Sequence, residues 1–136
     1  MRRAFRLAGA AVMLGSSIFS VAEARAFELA GAWAGHADLC SQVFTKKDGK
    51  VVYAEFSELF GSGFIIDGDR IRGRAATCSI KSRKQEGDSL ELSAACASSV
   101  MTQDVQFSLK IIDDNNISRS FPEIAGMSQR YTRCKL

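Results

Sequence analysis

Proline and histidine each occur once in the 136 residues of the sequence, and charged residues make up only 24% of it. A single proline excludes a collagen-like or proline-rich chain. With 46% apolar residues, the sequence is also unlike a highly charged disordered chain. A chain of this length corresponds to one domain, for which roughly 100–200 residues are usual. We therefore expect a single domain with no room for a separate cofactor-binding domain.

Long apolar segments are scarce too, and the one present lies near the start, over residues 7–22. Three arginines precede it, and two overlapping small-x-small sites follow it, ending at Ala24 and Ala26. This order is typical of a secretory signal peptide. A membrane-spanning helix needs about 20 apolar residues, whereas this stretch has 16 and is interrupted by Gly15-Ser16-Ser17. We therefore predict a cleaved leader rather than a membrane anchor.

The predicted signal peptide covers residues 1–26, which leaves one mature domain over residues 27–136. We expect that domain to be periplasmic or secreted and to have no integral membrane segment. The whole chain carries a formal charge of +3, but residues 1–26 contain four basic residues and one acidic residue. The mature domain is therefore about neutral. Because nucleic-acid affinity comes largely from phosphate neutralisation, we expect no nucleic-acid partner.

Four cysteines, Cys40, Cys78, Cys96 and Cys134, lie in the mature domain. An even number in a small exported domain predicts two disulfides. The cysteine spacings of 38, 18 and 38 residues lack the close pairs of a zinc site, and His36 is the only histidine. We therefore expect no metal ion and no cofactor.

Apolar and polar residues alternate along several segments of the mature domain, for example over residues 90–96 and 105–111. Such alternation is typical of half-buried β-strands, and turns rich in glycine, aspartate and asparagine separate the segments. Strands are expected near residues 32–37, 40–45, 50–56, 62–67, 69–74, 76–84, 89–96, 104–112, 116–121 and 128–134.

Two of these strand predictions have an alternative, and a separate prediction applies to residues 97–103, between two of the strands. Residues 53–60 also fit a short helical face, and residues 97–103 fit a helical turn or a loop. The run from 69 to 84 also fits one long strand bent at Gly73. About eight antiparallel strands in one small domain predict an all-β fold, either a closed barrel or a small sandwich. We favour the barrel because closure removes exposed strand edges.

The β-hairpin around Gly87 predicts how two cysteines pair. If Gly87 is the centre of the turn, Cys78 lies opposite Cys96, and Ser82 lies opposite Leu92. Side chains directly opposite each other on an antiparallel pair are close enough for a disulfide at a non-hydrogen-bonded position.

The remaining cysteines, Cys40 and Cys134, come from the two ends of the mature domain. The first and last strands are neighbours in a closed up-and-down barrel, so a bridge between them would hold the barrel closed. Four cysteines allow three connectivities. The register and the barrel favour Cys78–Cys96 with Cys40–Cys134, and the other two connectivities stay open.

Gly31-Ala32-Trp33 opens the first predicted strand, and Cys40 follows the tryptophan by seven residues. The G-x-W resembles the start of lipocalin-like (calycin) barrels. Together with the cysteine it is similar to the small bacterial inhibitors of secreted metalloproteases. The resemblance implies that Gly31 and Trp33 help to close the barrel floor, with a late arginine, Arg130 or Arg133, packed over the tryptophan.

The same resemblance implies that the mouth of the barrel can hold an apolar ligand. Phe56, Phe60 and Phe64 would then line or gate the mouth. In a domain of this size, the alternative is that these three residues belong to the core.

A second candidate binding site is a row of basic residues. Arg70, Arg72 and Arg74 alternate with other residues and share one face of a strand, and Lys81 and Arg83 follow on the next stretch. Guanidinium groups suit bidentate contacts with carboxylate or phosphate. This predicts an anionic ligand or an acidic protein surface in the envelope as partner. The alternative is a solvated outer face that protects the sheet.

The residue patterns of common catalytic sites are missing from the sequence. His36 has Asp38 nearby, but no serine stands in a G-x-S-x-G context, and there is no glycine-rich phosphate loop. We therefore expect an exported bacterial envelope protein that binds a partner and has no catalytic activity. The alternative is an inhibitor of a secreted hydrolase, either a lysozyme or a protease, because a rigid loop loses little entropy on docking.

Overall fold

A computed structural model describes residue 20 and residues 25–136 of the chain. The signal peptide predicted over 1–26 therefore lies outside the described residues, apart from Ser20, Arg25 and Ala26. Within the described residues, no helix combines the length and the apolar character needed to cross a membrane.

The described residues form ten strands: β1 (Gly31–Ala34), β2 (Phe44–Lys47), β3 (Lys50–Tyr53), β4 (Gly63–Asp67), β5 (Arg70–Arg72), β6 (Ala76–Glu86), β7 (Ser89–Ser98), β8 (Thr102–Asp113), β9 (Asn116–Ser120) and β10 (Ser128–Arg133). All except β2 and β3 close into an antiparallel barrel of eight strands, in which β1 pairs with both β4 and β10. The other barrel strands pair with their neighbours in the sequence. This confirms the closed barrel and excludes the sandwich.

The β1–β4 connection, residues 35–62, leaves the barrel and packs on its outer face. It contains a 3-10 turn at Ala37–Leu39, the one-turn helix α1 (Cys40–Val43), the β2–β3 hairpin and a second 3-10 turn at Ser57–Phe60. The strand predicted over 40–45 was wrong for residues 40–43, which form α1, whereas Phe44 and Thr45 begin β2. Val43 and Phe44 are both fully buried, which a strand with only one buried face does not allow. The helical alternative for 53–60 is confirmed over its second half.

The run from 69 to 84 forms two strands rather than one bent strand. The backbone N–H of Gly73 donates to the carbonyl of Ala76 at 2.8 Å, which closes a tight turn between β5 and β6. This turn places Ile71 opposite Cys78. The segment 97–103 is mostly strand, because β7 continues to Ser98 and β8 begins at Thr102.

Two apolar cores lie on opposite sides of β1. The core inside the barrel consists of Leu29, Trp33, Ile66, Ile71, Cys78, Leu90, Leu92, Ala94, Cys96, Leu109, Ile117 and Tyr131. The second core lies between the barrel wall and the β1–β4 connection and consists of Ala32, Ala34, Val43, Phe44 and Ile65. Successive side chains of a strand point to opposite faces, so alternate residues of β1 belong to different cores.

The two disulfides join Cys40 to Cys134 and Cys78 to Cys96, which confirms the favoured connectivity. The first connects the start of α1 to the residue that follows β10. The second connects β6 to β7 on the inner face of the barrel. Two disulfides are consistent with an exported or extracellular protein, because such bonds persist mainly in oxidising compartments.

Cys78 and Cys96 pair as predicted, but the β6–β7 register that pairs them differs from the prediction in two ways. The hairpin turn is not centred on Gly87, because Glu86 already lies opposite Ser89. A β-bulge at Lys81 then shifts the register by one residue, so that Cys78 and Cys96 face each other.

The bulge also changes which side chains of β6 point inward. Ser82 lies opposite Ser93 rather than Leu92, so that part of the prediction was wrong. Arg83 takes the position opposite Leu92, whose side chain is buried in the barrel. Arg83 therefore points inward near the end of β6.

Candidate functional site

The end of the barrel at which β1 begins is closed by the preceding segment, residues 25–30. Leu29 is buried in the barrel core, and Phe27 packs against the same core. The backbone N–H of Phe27 donates to Oε1 of Gln85 at 2.9 Å, and the guanidinium of Arg83 donates to the Phe27 carbonyl. Two polar side chains near the end of β6 thus hold this segment across the barrel. We call this the closed end.

Trp33 and Arg133 lie behind that segment. Trp33 is fully buried, and its indole N–H donates to the carbonyl of Leu29 at 2.9 Å. The guanidinium carbon of Arg133 lies 4.4 Å from the centroid of the Trp33 ring. Arg130 is exposed on the same strand. Of the two arginines that the G-x-W resemblance allowed, Arg133 therefore makes the contact.

Gly31 provides the room for this contact. Its φ is +133°, a conformation that side chains rarely adopt, and a Cβ atom there would lie 3.3 Å from Nη1 of Arg133. The Arg133 guanidinium also donates to backbone carbonyls of the 25–30 segment, those of Glu28 and Ala30. It reaches the Asp114 carbonyl at 3.1 Å as well. Gly31, Trp33 and Arg133 thus act together at the closed end.

A cavity of about 340 Å³ lies at the opposite end of the barrel. Its lining includes Gly63 and Ala76, the first residues of β4 and β6, which places it at the open end. Its walls are mainly apolar, with side chains from Phe64, Ile71, Leu92, Val105, Phe107 and Tyr131. The Cys78–Cys96 disulfide lies on the wall too. Of the three phenylalanines expected at the mouth, Phe64 lines the cavity, whereas Phe56 and Phe60 are exposed and are not part of the lining.

Arg119 is the only charged residue among the described residues that line the cavity. It lies on β9, two residues beyond the buried Ile117, and therefore points to the inner face. Its guanidinium carbon lies 4.5 Å from the ring centroid of Phe107 and 4.6 Å from that of Phe121. Two aromatic rings thus position this cation at the mouth of the cavity.

The guanidinium of Arg119 is incompletely satisfied. Its Nε atom is buried and has no hydrogen-bond partner within the described part of the chain. Burial lowers the pKa of Arg119 below its ordinary value, and Tyr131 and Glu123 partly oppose this shift. An arginine remains protonated at neutral pH even so. The cavity therefore presents a positive charge and unused donor capacity beside an apolar wall.

The five basic residues predicted as an anion site are placed separately. Arg70 and Arg72 lie on the outer face of β5, on either side of the buried Ile71, and Arg74 lies in the following turn. Arg83 points to the closed end, where it bonds Phe27 as described above. The exposed Arg70 and Lys81 have their side chains free for solvent. Anion recognition by the exposed members stays a prediction.

Arg72 and Arg74 hold the β1–β4 connection to the barrel. Nη2 of Arg72 donates to the Val51 carbonyl at 3.1 Å, and Nη2 of Arg74 donates to the Ser57 carbonyl at 2.9 Å. Arg74 also lies 5.1 Å from the centroid of the Tyr53 ring. Burial raises the pKa of Tyr53, and the two arginines partly oppose this shift. These two arginines therefore have structural partners that the sequence pattern did not indicate.

Replacing Arg72 and Arg74 together with glutamine is expected to lower the free energy of unfolding by about 1–2 kcal/mol. The two substitutions remove the donors that bind Val51 and Ser57. Urea unfolding measures the change, and Arg70→Gln serves as the exposed control, with an expected effect within about 0.5 kcal/mol. Equal unfolding midpoints for the double variant and the control would show that these bonds add nothing to stability.

Sequence reasoning missed Arg119 as a site residue. The segment Ile117-Ser118-Arg119-Ser120-Phe121 alternates, and Arg119 occupies a position in the apolar phase. The sequence therefore did contain a signal, namely an arginine at a position where the alternation predicts an inward-facing side chain.

Comparison of the chain with protein-family models, with curated proteins and with solved structures gives no match. Across the described residues, no three His, Cys, Asp or Glu side chains are grouped so that they would hold a metal ion. Function is therefore inferred from the chemistry of the cavity.

Proposed function

We propose that the protein is an exported binding protein of the bacterial envelope, without catalytic activity, whose barrel holds a small amphipathic anion. The lipocalin-like character of the barrel is part of this proposal, and the contact between Arg133 and Trp33 supports it. The observation that carries the proposal is Arg119, the charged residue with a buried, unpartnered Nε on a mainly apolar cavity wall.

The electrostatics of Arg119 favour an anionic ligand. Burying a charge is costly unless it is paired and hydrogen-bonded. The rings of Phe107 and Phe121 offset part of that cost through cation–π contact. A carboxylate or phosphate would supply the missing acceptor and match the planar donors of the guanidinium. An anion bound here would therefore gain strength from the low polarity around it.

The cavity size restricts the ligand. A volume of about 340 Å³ lies near the lower limit of small-molecule pockets, which usually have about 300–1,000 Å³. The apolar walls favour an aliphatic or aromatic body, and Arg119 at the mouth favours an anionic head group that points outward. These features fit a small organic acid with an apolar tail better than a glycan, whose hydroxyl groups would lack partners on such walls.

Decanoate tests the proposal, with decanol as the uncharged equivalent. We expect the wild-type protein to bind decanoate at least about tenfold more tightly than decanol, a difference of about 1.4 kcal/mol. In Arg119→Leu, the two affinities are expected to become equal because the cation is gone. Isothermal titration calorimetry measures both ligands.

The matched control is Arg130→Leu, since Arg130 is exposed on the neighbouring strand β10. It should retain the preference for decanoate. Arg119→Leu should unfold at the same urea concentration as the wild type or at a higher one, because replacing a buried charge with an apolar residue is often neutral or stabilising. A wild-type protein that binds decanol as tightly as decanoate would contradict the proposal.

A further inference from the structure

Exposed apolar side chains are concentrated at the open end of the barrel. Of the nine large apolar side chains that are exposed among the described residues, seven lie on connections at this end. They form what we call the apolar rim: Phe56, Leu59, Phe60, Val100, Met101, Ile124 and Met127. The strand order places their three connections, β1–β4, β7–β8 and β9–β10, at intervals around the barrel. The rim therefore occupies three of the four connections at the mouth of the cavity, and the β5–β6 turn is the fourth.

Several side chains of the rim are largely exposed to solvent. Val100 is 87% exposed, Leu59 is 73% exposed and Phe56 is 62% exposed. Single exposed apolar residues are normal on any protein surface, but a concentration of them at one end marks an interaction site.

The backbone at Phe56 is a second, independent sign. Phe56 has φ +57° and ψ 22°, a left-handed conformation that is unusual for a bulky residue. Such strain persists only where the surrounding structure holds it, and it is frequent at functional sites. Here the Arg74 side chain binds the adjacent Ser57, which fixes the turn at the edge of the barrel. The strained backbone thus holds an aromatic ring of the rim out in solvent.

The opposite end has the reverse character. Its three hairpin turns are acidic, with the sequences Asp67-Gly68-Asp69, Glu86-Gly87-Asp88 and Asp113-Asp114-Asn115. The six carboxyl residues in these turns are exposed. Lys84 and Lys110 pair with Glu86 and Asp88, and the exposed Arg70 adjoins Asp69, so this end carries both signs of charge. The molecule is therefore polarised along the barrel axis, with apolar side chains at the mouth and charged side chains at the far end.

We propose that the apolar rim docks on a lipid bilayer, so that the cavity mouth faces the membrane surface. Separate loop tips around an opening fit a deformable interface, into which each tip can insert independently. The charged side chains of the closed end would point away from the membrane. Docking does not require a ligand in the cavity, so it goes beyond the proposed ligand site, although it explains how an amphipathic ligand would enter from the lipid.

The charges beside the rim specify the kind of lipid. The exposed acidic residues Glu55, Glu58 and Glu123 lie on the same connections as the rim, but the β1–β4 connection also carries the exposed Lys46, Lys47 and Lys50. Because both signs of charge are present, attraction to an anionic surface is not favoured. Docking on zwitterionic lipid is therefore expected, with little dependence on salt, since salt screens charge attraction and leaves apolar insertion largely intact.

Flotation with phosphatidylcholine vesicles tests the docking. The double variant Leu59→Ser/Val100→Ser removes two apolar tips on separate connections, and because both residues are exposed its folding should be unchanged. We expect its vesicle binding to fall by at least about tenfold relative to the wild type. The matched control is Ile112→Ser, because Ile112 is 41% exposed near the closed end of β8. The control should bind vesicles as the wild type does.

The two proposals fail separately. Arg119→Leu should lose the preference for decanoate and keep vesicle binding, whereas the rim variant should show the reverse pattern. A wild-type protein that does not float with the vesicles would overturn the docking proposal. So would a rim variant that floats normally but converts a dimer to a monomer, which would make a second copy the occupant. Loss of lysozyme or protease inhibition without any vesicle binding would assign the rim to a hydrolase.

Discussion

Replacing Cys40 and Cys134 together with alanine is expected to lower the free energy of unfolding by about 4–5 kcal/mol. The disulfide closes a loop of 94 residues, and in the chain-entropy model a longer loop restricts the unfolded chain more. Both cysteines also pack against the outer core beneath the β1–β4 connection. The expected loss is comparable with the whole stability of a small domain, about 5–15 kcal/mol.

The Cys78→Ala/Cys96→Ala variant is the matched control. Its disulfide closes only 18 residues and joins strands that the hairpin already pairs, so a smaller loss of about 3 kcal/mol is expected. Alanine is preferred to serine because Cys78 and Cys96 are buried in the barrel, where a hydroxyl would lack partners. Urea unfolding of both variants gives the order. Equal losses would mean that loop length does not determine the contribution of these bonds.

The second large effect is expected at Trp33. Trp33→Ala should lower the free energy of unfolding by about 3–5 kcal/mol, the usual cost of removing a buried large aromatic side chain. The indole fills the barrel behind the 25–30 segment with 0% exposure. Its loss would also remove the ring on which Arg133 stacks and the donor to the Leu29 carbonyl.

Trp33→Phe separates packing from the indole hydrogen bond. Phenylalanine keeps an aromatic face for Arg133 but has no N–H, so we expect a smaller loss than for alanine. Far-ultraviolet circular dichroism during urea titration measures both variants, since the only tryptophan is gone. A loss below about 1 kcal/mol for Trp33→Ala would show that the buried indole contributes little more to stability than an ordinary surface side chain.

The barrel was predictable because its signals are local. Alternating apolar residues and glycine-containing acidic turns set the strands and their order, and the order placed Cys40 near Cys134. The β1–β4 connection was harder to predict. Val43 and Phe44 are both buried only because a second core forms outside the barrel, and that core brings together residues far apart in the sequence.

The binding residues were less predictable than the fold. Arg72 and Arg83 share a basic pattern with Arg70, yet their acceptors lie 21 and 56 residues away. A sequence pattern does not contain such pairings. The alternation of apolar and polar residues does not indicate the bulge at Lys81 either, although this bulge is the reason that Arg83 points inward.

The pairing of β1 with β10 has a consequence for the order in which the thiols are oxidised. Cys40 meets its partner only when the last strand is in place, because Cys134 directly follows β10. Local contacts form faster than distant ones, so the β6–β7 hairpin should bring Cys78 and Cys96 together first. Once these two thiols are joined, Cys134 is the only free thiol left for Cys40. The hairpin thus prevents mispairing of a cysteine that lies outside it.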